Sequence, residues 1–199
     1  MSETLAVIAD AVGGRLVGDG SIIITDASHD SREAGPGTCF VAVRGATVDG
    51  HTFVEEAAAE GVSAVCVDHE MDVAVAQVVV PDTRAVLGEL AATVWRRPTS
   101  VLTVVGVTGT NGKTTVTHLL AGIARAAEVS AAVVGTTGIL VGEDRTPLPR
   151  TSPEATDVQR IAAGLVSDDV ELLAMEVSSH AMALGRVEGV EFDVVAFTN

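Results

Sequence analysis

The single lysine of this chain, Lys113, stands in the stretch VGVTGTNGKTTVTHLLAG (Val105–Gly122), and the other eleven of its twelve Lys and Arg residues are arginines. Gly109 and Gly112 flank Thr110 and Asn111, and Lys113, Thr114 and Thr115 follow at once. Small residues between a strand and a helix let backbone N–H groups wrap phosphate oxygens. The helix N-terminus adds partial positive charge. An ammonium is a compact point charge that reaches phosphate oxygens in a slot too narrow for a planar guanidinium, and a hydroxyl directly after it can hold Mg²⁺. Residues 109–115 are therefore expected to cradle nucleotide phosphates, with Lys113 supplying the charge. The spacing departs from G-x-x-x-x-G-K-[ST], because Val107 occupies the place of the first glycine, with Gly106 one residue early and Gly109 two late. A GTPase is excluded, since its guanine motif needs a second lysine. A small-molecule kinase stays open on the loop alone.

A carboxylate suited to the same metal follows. Glu176 closes the apolar run ELLAME, and a strand end of a parallel sheet is where ligands bind. Glu176 is expected to hold Mg²⁺ opposite Thr114. Ser178 and Ser179 bring hydroxyls, but no G-x-S-x-G surrounds them. His180 reads equally as a substrate contact or a helix cap.

These residues need elements to position them. Leu5, Ile8, Ala9 and Val12 share one helical face, closed by Gly13-Gly14. RLVG and SIIIT flank the turn DGS and read as a hairpin. TCFVAV, SAVCV and AVAQVVV read as buried strands, with helices at about 53–60 and from Asp82 to Trp95. After RRPTS the pattern becomes strand, glycine loop, helix, strand, through VLTVVGV, Thr114–Ala127, SAAVVG, Glu154–Val166, ELLAMEV and DVVAF. The expected fold is α/β: a small N-terminal α/β domain over 1–98, then a truncated P-loop, doubly wound, mostly parallel sheet over 99–199. DVVAFTN stops on a strand that lacks its next crossover, so the chain reads as a fragment of a longer protein, inactive alone.

Composition removes other classes. The 199 residues carry a net charge of −15, 47% hydrophobic and 3% aromatic residues. A nucleic-acid platform needs basic grooves and stacking aromatics, so no nucleic-acid partner is expected. The apolar runs are too short to span a membrane, and Met1–Gly14 lacks a basic start. Cys39 and Cys66 lie in apolar runs and are expected to be buried, reduced thiols rather than metal ligands. The reading is a cytoplasmic monomer.

GVTGTNGKTT resembles the nucleotide loop of the Mur ligases, and three further stretches resemble the MurE type. They are HDSREAGPGTCFVAVRGATVDGHTFVEEAAAEG (His29–Gly61), PRTSPEATDVQ (Pro149–Gln159) and MEVSSHAMALGRVEG (Met175–Gly189). The resemblance implies a uridine-nucleotide domain over 1–98 and an ATP-binding domain from 99. It implies ATP and Mg²⁺ as cofactors, with Gly109 to Thr115 on ATP, Thr114 and Glu176 on the metal, and Lys113 and Glu176 in catalysis. The implied partners are a UDP-sugar dipeptide and an amino acid, meso-diaminopimelate or L-lysine. Ser31, Ala46, Thr47 and Val48 would meet the uridine nucleotide; Thr151, Ser152, Ser178 and Arg186 would hold the muramoyl-dipeptide. Where the family often has Gln two residues before that arginine, Leu184 stands. The implied chemistry is attack of a substrate carboxylate on the γ-phosphoryl of ATP, then displacement of phosphate from the acyl phosphate by an amine. Rivals are a folylpolyglutamate-type ligase, disfavoured by the DSR and DGH stretches, and a non-catalytic nucleotide-binding module.

Overall fold

Apolar runs four to six residues long, broken by glycine and aspartate, become buried strands; stretches with apolar residues three and four apart become helices. The computed structural model describes residues 1–45, 47–148 and 151–199. The chain divides into two units, Met1–Arg96 and Arg97–Asn199. Arg96 and Arg97 turn the chain in the left-handed region, at φ 56° and 51°. Pro98 and Thr99 are buried within a 3₁₀ turn, Pro98–Ser100, so the stretch that marks a compositional break is itself folded.

The first unit contains β1 (Glu3–Thr4), α1 (Leu5–Ala11), β2 (Arg15–Val17), β3 (Ile23–Ile24) and β4 (Asp26–Ser28). A 3₁₀ turn, Ser31–Glu33, leads to β5 (Thr38–Val41); a second, Gly50–Phe53, leads into α2 (Val54–Ala59). β6 (Ala64–Val67), β7 (Ala76–Val79) and α3 (Thr83–Val94) complete it. Among the described residues the main sheet has the order β2-β7-β6-β5-β4, parallel except for β2. TCFV and AVCV are buried throughout, as expected of parallel strands with both faces covered. Phe40, Val65 and Val67 pack with Val54 and Ala57 of α2. Asp82 starts α3 by accepting from the amides of Arg84 and Ala85. Burial pushes the Cys39 thiol up to about 12 and the Cys66 thiol well up too, so neither is a reactive thiolate.

The expected hairpin does not form. β2 pairs antiparallel with β7, whereas β3 pairs with β1 in a separate two-stranded ribbon. The DGS turn divides the two segments between sheets because β7 offers Leu16 a buried neighbour, Val78, that a two-stranded ribbon cannot match.

The second unit contains β8 (Thr103–Thr108), α4 (Lys113–Ala126), β9 (Ala131–Gly135), β10 (Gly138–Val141) and β11 (Asp144–Thr146). It continues with α5 (Ala155–Ser167), β12 (Leu172–Glu176), α6 (Ser179–Ala183) and β13 (Val194–Phe197). Among the described residues the sheet order is β11-β10-β9-β12-β8-β13, with β9, β12, β8 and β13 parallel and β10–β11 added as an antiparallel hairpin. α5 buries Val158, Ala162 and Leu165 against Val104, Val134, Leu173 and Met175. α4 lies against β8, β9 and β12, where the alternate strand positions face it. The α/β, mostly parallel architecture is the one expected. No helix among the described residues is long and apolar enough to cross a membrane.

Candidate functional site

The glycine loop joins the carboxyl end of β8 to the first turn of α4. Gly109 has φ +133°, and a Cβ there would lie 2.3 Å from Thr198 Oγ1 and 2.8 Å from the Asn199 amide nitrogen. Gly112, at φ +88°, is the N-cap of α4; having no side chain, it leaves the amides of the first turn to an incoming anion. Lys113 Nζ folds back over the loop and donates to the carbonyls of Gly109, at 2.7 Å, and Thr110, at 3.4 Å. Thr198 Oγ1 donates to Asn111 O at 2.6 Å, and the Thr110 amide donates to Asn199 O at 2.5 Å. Thr115 is exposed on α4. Beside the loop lies a cavity of about 400 Å³ lined in part by Thr108, Gly109, Lys113, Ser178 and Phe197.

Glu176, 1% exposed at the end of β12, sits behind this loop. Its Oε1 accepts from Thr114 Oγ1 at 3.0 Å and from the Thr136 amide at 3.0 Å, and its Oε2 accepts from Thr136 Oγ1 at 2.9 Å. The structure thus brings together Lys113, Thr114 and Glu176 from two elements far apart in sequence. A buried carboxylate and a hydroxyl are hard oxygen donors, and that donor set fits Mg²⁺.

Of the residues expected to hold the dipeptide, Ser152 and Ser178 meet. Ser152 Oγ donates to Glu176 O at 3.1 Å and accepts from the Ser178 amide at 3.3 Å. Ser178 Oγ caps α6 by accepting from the Ala181 amide at 3.1 Å. Both hydroxyls therefore already bond to backbone, and Ser152 is buried. Thr151 is half-buried, while His180 and Leu184 are exposed. Arg186 Nε lies 2.8 Å from Glu154 Oε1 with little exposure on either side chain. The approach is off the N–H axis, so it is an ion pair rather than an aligned hydrogen bond.

In the first unit, Asp30 caps the 3₁₀ turn through the Arg32 amide, and its carboxylate pairs with the Arg32 guanidinium. Ser31 is half-buried, and among the described residues its hydroxyl has no hydrogen-bond partner. Thr47 and Val48 are exposed, and Ala46 lies outside the described residues. The loop that carries them is tied at its base by charge. Arg44 pairs with Asp49 at 2.9 Å and with Asp68 at 2.6 Å. His51 Nδ1 meets Asp49 Oδ1 at 2.7 Å, and its Nε2 accepts from the Asp68 amide at 3.1 Å. His69 Nδ1 also meets Asp68. With both ring nitrogens of His51 hydrogen-bonded, the cluster clasps the base of the loop.

The clasp gives a pH prediction. The Arg44 hydrogen bond, foremost, holds the Asp68 carboxyl at about 2, against an ordinary 3.8. A depressed carboxylate stabilises the fold above its unfolded pKa, and the contribution is lost as pH falls through the folded one. Asp68→Asn should destabilise the first unit at neutral pH by about 1 kcal/mol, once solvent screening of Arg44 is allowed for, and so lower its melting temperature. The gap from wild type should close between about pH 4 and pH 2. A gap that persists unchanged at the acid end, in melts followed by circular dichroism, would count against the clasp.

Comparison with known proteins converges on one family. Residues 107–199 match the Mur ligase middle domain, and residues 24–95 match the Mur ligase family, catalytic domain. The chain belongs to the Mur ligase family. It is 44% identical over 170 residues to the UDP-N-acetylmuramoyl-L-alanyl-D-glutamate--2,6-diaminopimelate ligase of Geobacillus thermodenitrificans, covering 85% of this chain and 35% of that protein. The Streptomyces coelicolor ligase of the same name is 42% identical over 200 residues, covering 98% and 39%. The UDP-N-acetylmuramoyl-L-alanyl-D-glutamate--L-lysine ligase of Staphylococcus haemolyticus is 40% identical over 187 residues, covering 93% and 38%. A solved UDP-N-acetylmuramoyl-L-alanyl-D-glutamate--2,6-diaminopimelate ligase superposes with a TM-score of 0.83 at 28% identity, over 100% of this chain and 40% of that one. This Mur ligase chain therefore spans well under half the length of these relatives.

Sequence reasoning missed Thr136 and Glu154. Both had a signal: Thr136 follows a buried strand at the ligand rim of the sheet, and Glu154 stands within the TSPEATD stretch already singled out.

Proposed function

We propose that this chain carries the nucleotide-binding parts of an ATP-dependent amide ligase of the MurE type, which adds a third amino acid to UDP-N-acetylmuramoyl-L-alanyl-D-glutamate. The observation that carries the reading is the Lys113–Thr114–Glu176 corner at the end of a parallel sheet, in a Mur ligase family member 40% to 44% identical to dipeptide-extending ligases. In this reading the D-glutamate carboxylate attacks the γ-phosphorus of ATP. ADP leaves, and the amine of diaminopimelate or lysine displaces phosphate from the acyl phosphate to form the amide. Lys113 leaves the Gly109 and Thr110 carbonyls for phosphate oxygens, and the first-turn amides of α4 take their share of the charge. Thr114 and Glu176 would hold Mg²⁺, which when bound neutralises charge on the phosphates. Arg186 would exchange Glu154 for a substrate carboxylate. Ser31, with Ala46, Thr47 and Val48, would meet the uridine nucleotide.

The test is selective binding. In nuclear magnetic resonance titrations, UDP-N-acetylmuramoyl-L-alanyl-D-glutamate should shift Ser31, Thr47 and Val48, and ATP should not. Ser31→Ala should weaken that binding by about 1 kcal/mol, the worth of one hydrogen bond. Shifts that avoid all three residues would end the assignment.

A further inference from the structure

We propose that Thr136 is the positioning residue of the metal corner, holding Glu176 so that one face of its carboxylate stays open toward Thr114. The proposal rests on the reading of Thr114 and Glu176 as a magnesium pair. An ionised carboxylate offers about four acceptor sites. Glu176 is buried, and two of the three hydrogen bonds described for its carboxylate come from Thr136: the amide to Oε1 at 3.0 Å and the hydroxyl to Oε2 at 2.9 Å. The third comes from Thr114 Oγ1, which also lies 3.4 Å from Thr136 Oγ1. A cation entering between Thr114 and Glu176 displaces only that third bond. The two from Thr136 can persist and keep the acid aimed.

The turn that carries Thr136 is built for this closeness. A Cβ on Gly135 would lie 2.2 Å from Glu176 Oε1 and 2.6 Å from its Cδ, so only glycine lets the backbone pass against the carboxylate. The next residue is pinned from both sides. Arg145 Nε donates to Thr137 O at 2.5 Å, and His118 Nε2 lies 3.2 Å from Thr137 Oγ1. Gly138 then turns at φ +97°, its Cα facing Thr146 O so closely that a Cβ would stand 2.3 Å from it. The β10–β11 hairpin thereby acts as a brace: it fixes a turn whose hydroxyl points inward although the residue is exposed.

Thr136→Val keeps shape and amide and removes only the hydroxyl. Mn²⁺ binding in the presence of ATP, read by electron paramagnetic resonance, should weaken about tenfold, the loss of one hydrogen bond to a charged group. ATP affinity in EDTA, by calorimetry, should be unchanged, and Thr136→Ser should restore the metal affinity. Thr136→Ala serves as a second variant should the valine methyl disturb folding, and should show the same split. Wild-type Mn²⁺ affinity in the Val and Ala variants would overturn the proposal alone. A wild-type protein that binds ATP but no Mn²⁺ would overturn the magnesium pair and the proposal together. Equal losses of metal-free and metal-loaded ATP binding would mark Thr136 as merely structural and also overturn it.

Discussion

Lys113→Met should weaken ATP binding by about 2–3 kcal/mol, roughly 30- to 150-fold, the cost of losing a charge-assisted contact to phosphate. In the ligand-free chain the ammonium rests on two neutral carbonyls, Gly109 O and Thr110 O. It surrenders both to reach phosphate, and gains a full charge interaction in a cradle already biased by the α4 N-terminus. Methionine keeps the length and removes the charge, so the loss isolates the electrostatic part. Lys113→Arg should not restore affinity, because the planar guanidinium cannot fold back over the loop as the compact ammonium does. Calorimetric titration of Mg·ATP, with thermal melts to confirm an intact fold, is the measurement. Matching affinities in wild type and Lys113→Met would remove this residue from the phosphate site.

Glu154→Ala should destabilise the second unit by about 3 kcal/mol, because it strands a buried guanidinium. Arg186 is 12% exposed at its side chain and Glu154 7%, and the two approach to 2.8 Å. For a unit of this size the loss corresponds to a fall in melting temperature of at least about 10 °C. Arg186→Met in the same background should recover most of it, since burying two apolar groups costs less than burying one unpaired charge. A single Glu154→Ala variant that melts within a degree or two of wild type would show that Arg186 finds water instead. Under the proposed role of Arg186, a ligand carboxylate would have to displace Glu154 from it.

The loop at 109–115 was legible because its chemistry is local. Two glycines with positive φ, a lysine and three threonine hydroxyls within seven consecutive residues shape the expected phosphate cradle from local sequence alone. Strands such as AVCV and LLAME were legible for a like reason, as short apolar runs too rich in Val, Leu and Ala to sit anywhere but inside. Glu176 was legible as the polar end of one such run. The RLVG–SIIIT hairpin was misread because a turn signal states that the chain reverses, not which strand it then joins. Pairing of β2 with β7 joins residues some sixty positions apart, and the buried partner strand decided it.

By itself the sequence determined which groups this protein has for its chemistry and the local shapes that hold them: a lone ammonium after two glycines, a carboxylate at a strand end, a serine after an aspartate in a polar loop. Tertiary structure alone decided who faces whom. Glu176 meets Thr114 across 62 positions and Thr136 across 40, and Arg186 pairs with Glu154 across 32. Such pairings depend on strand order and on the register of parallel strands, which side-chain period fixes only once neighbouring strands are in place. Hence the charges could be named from the chain, but the bonds that aim them only from the fold.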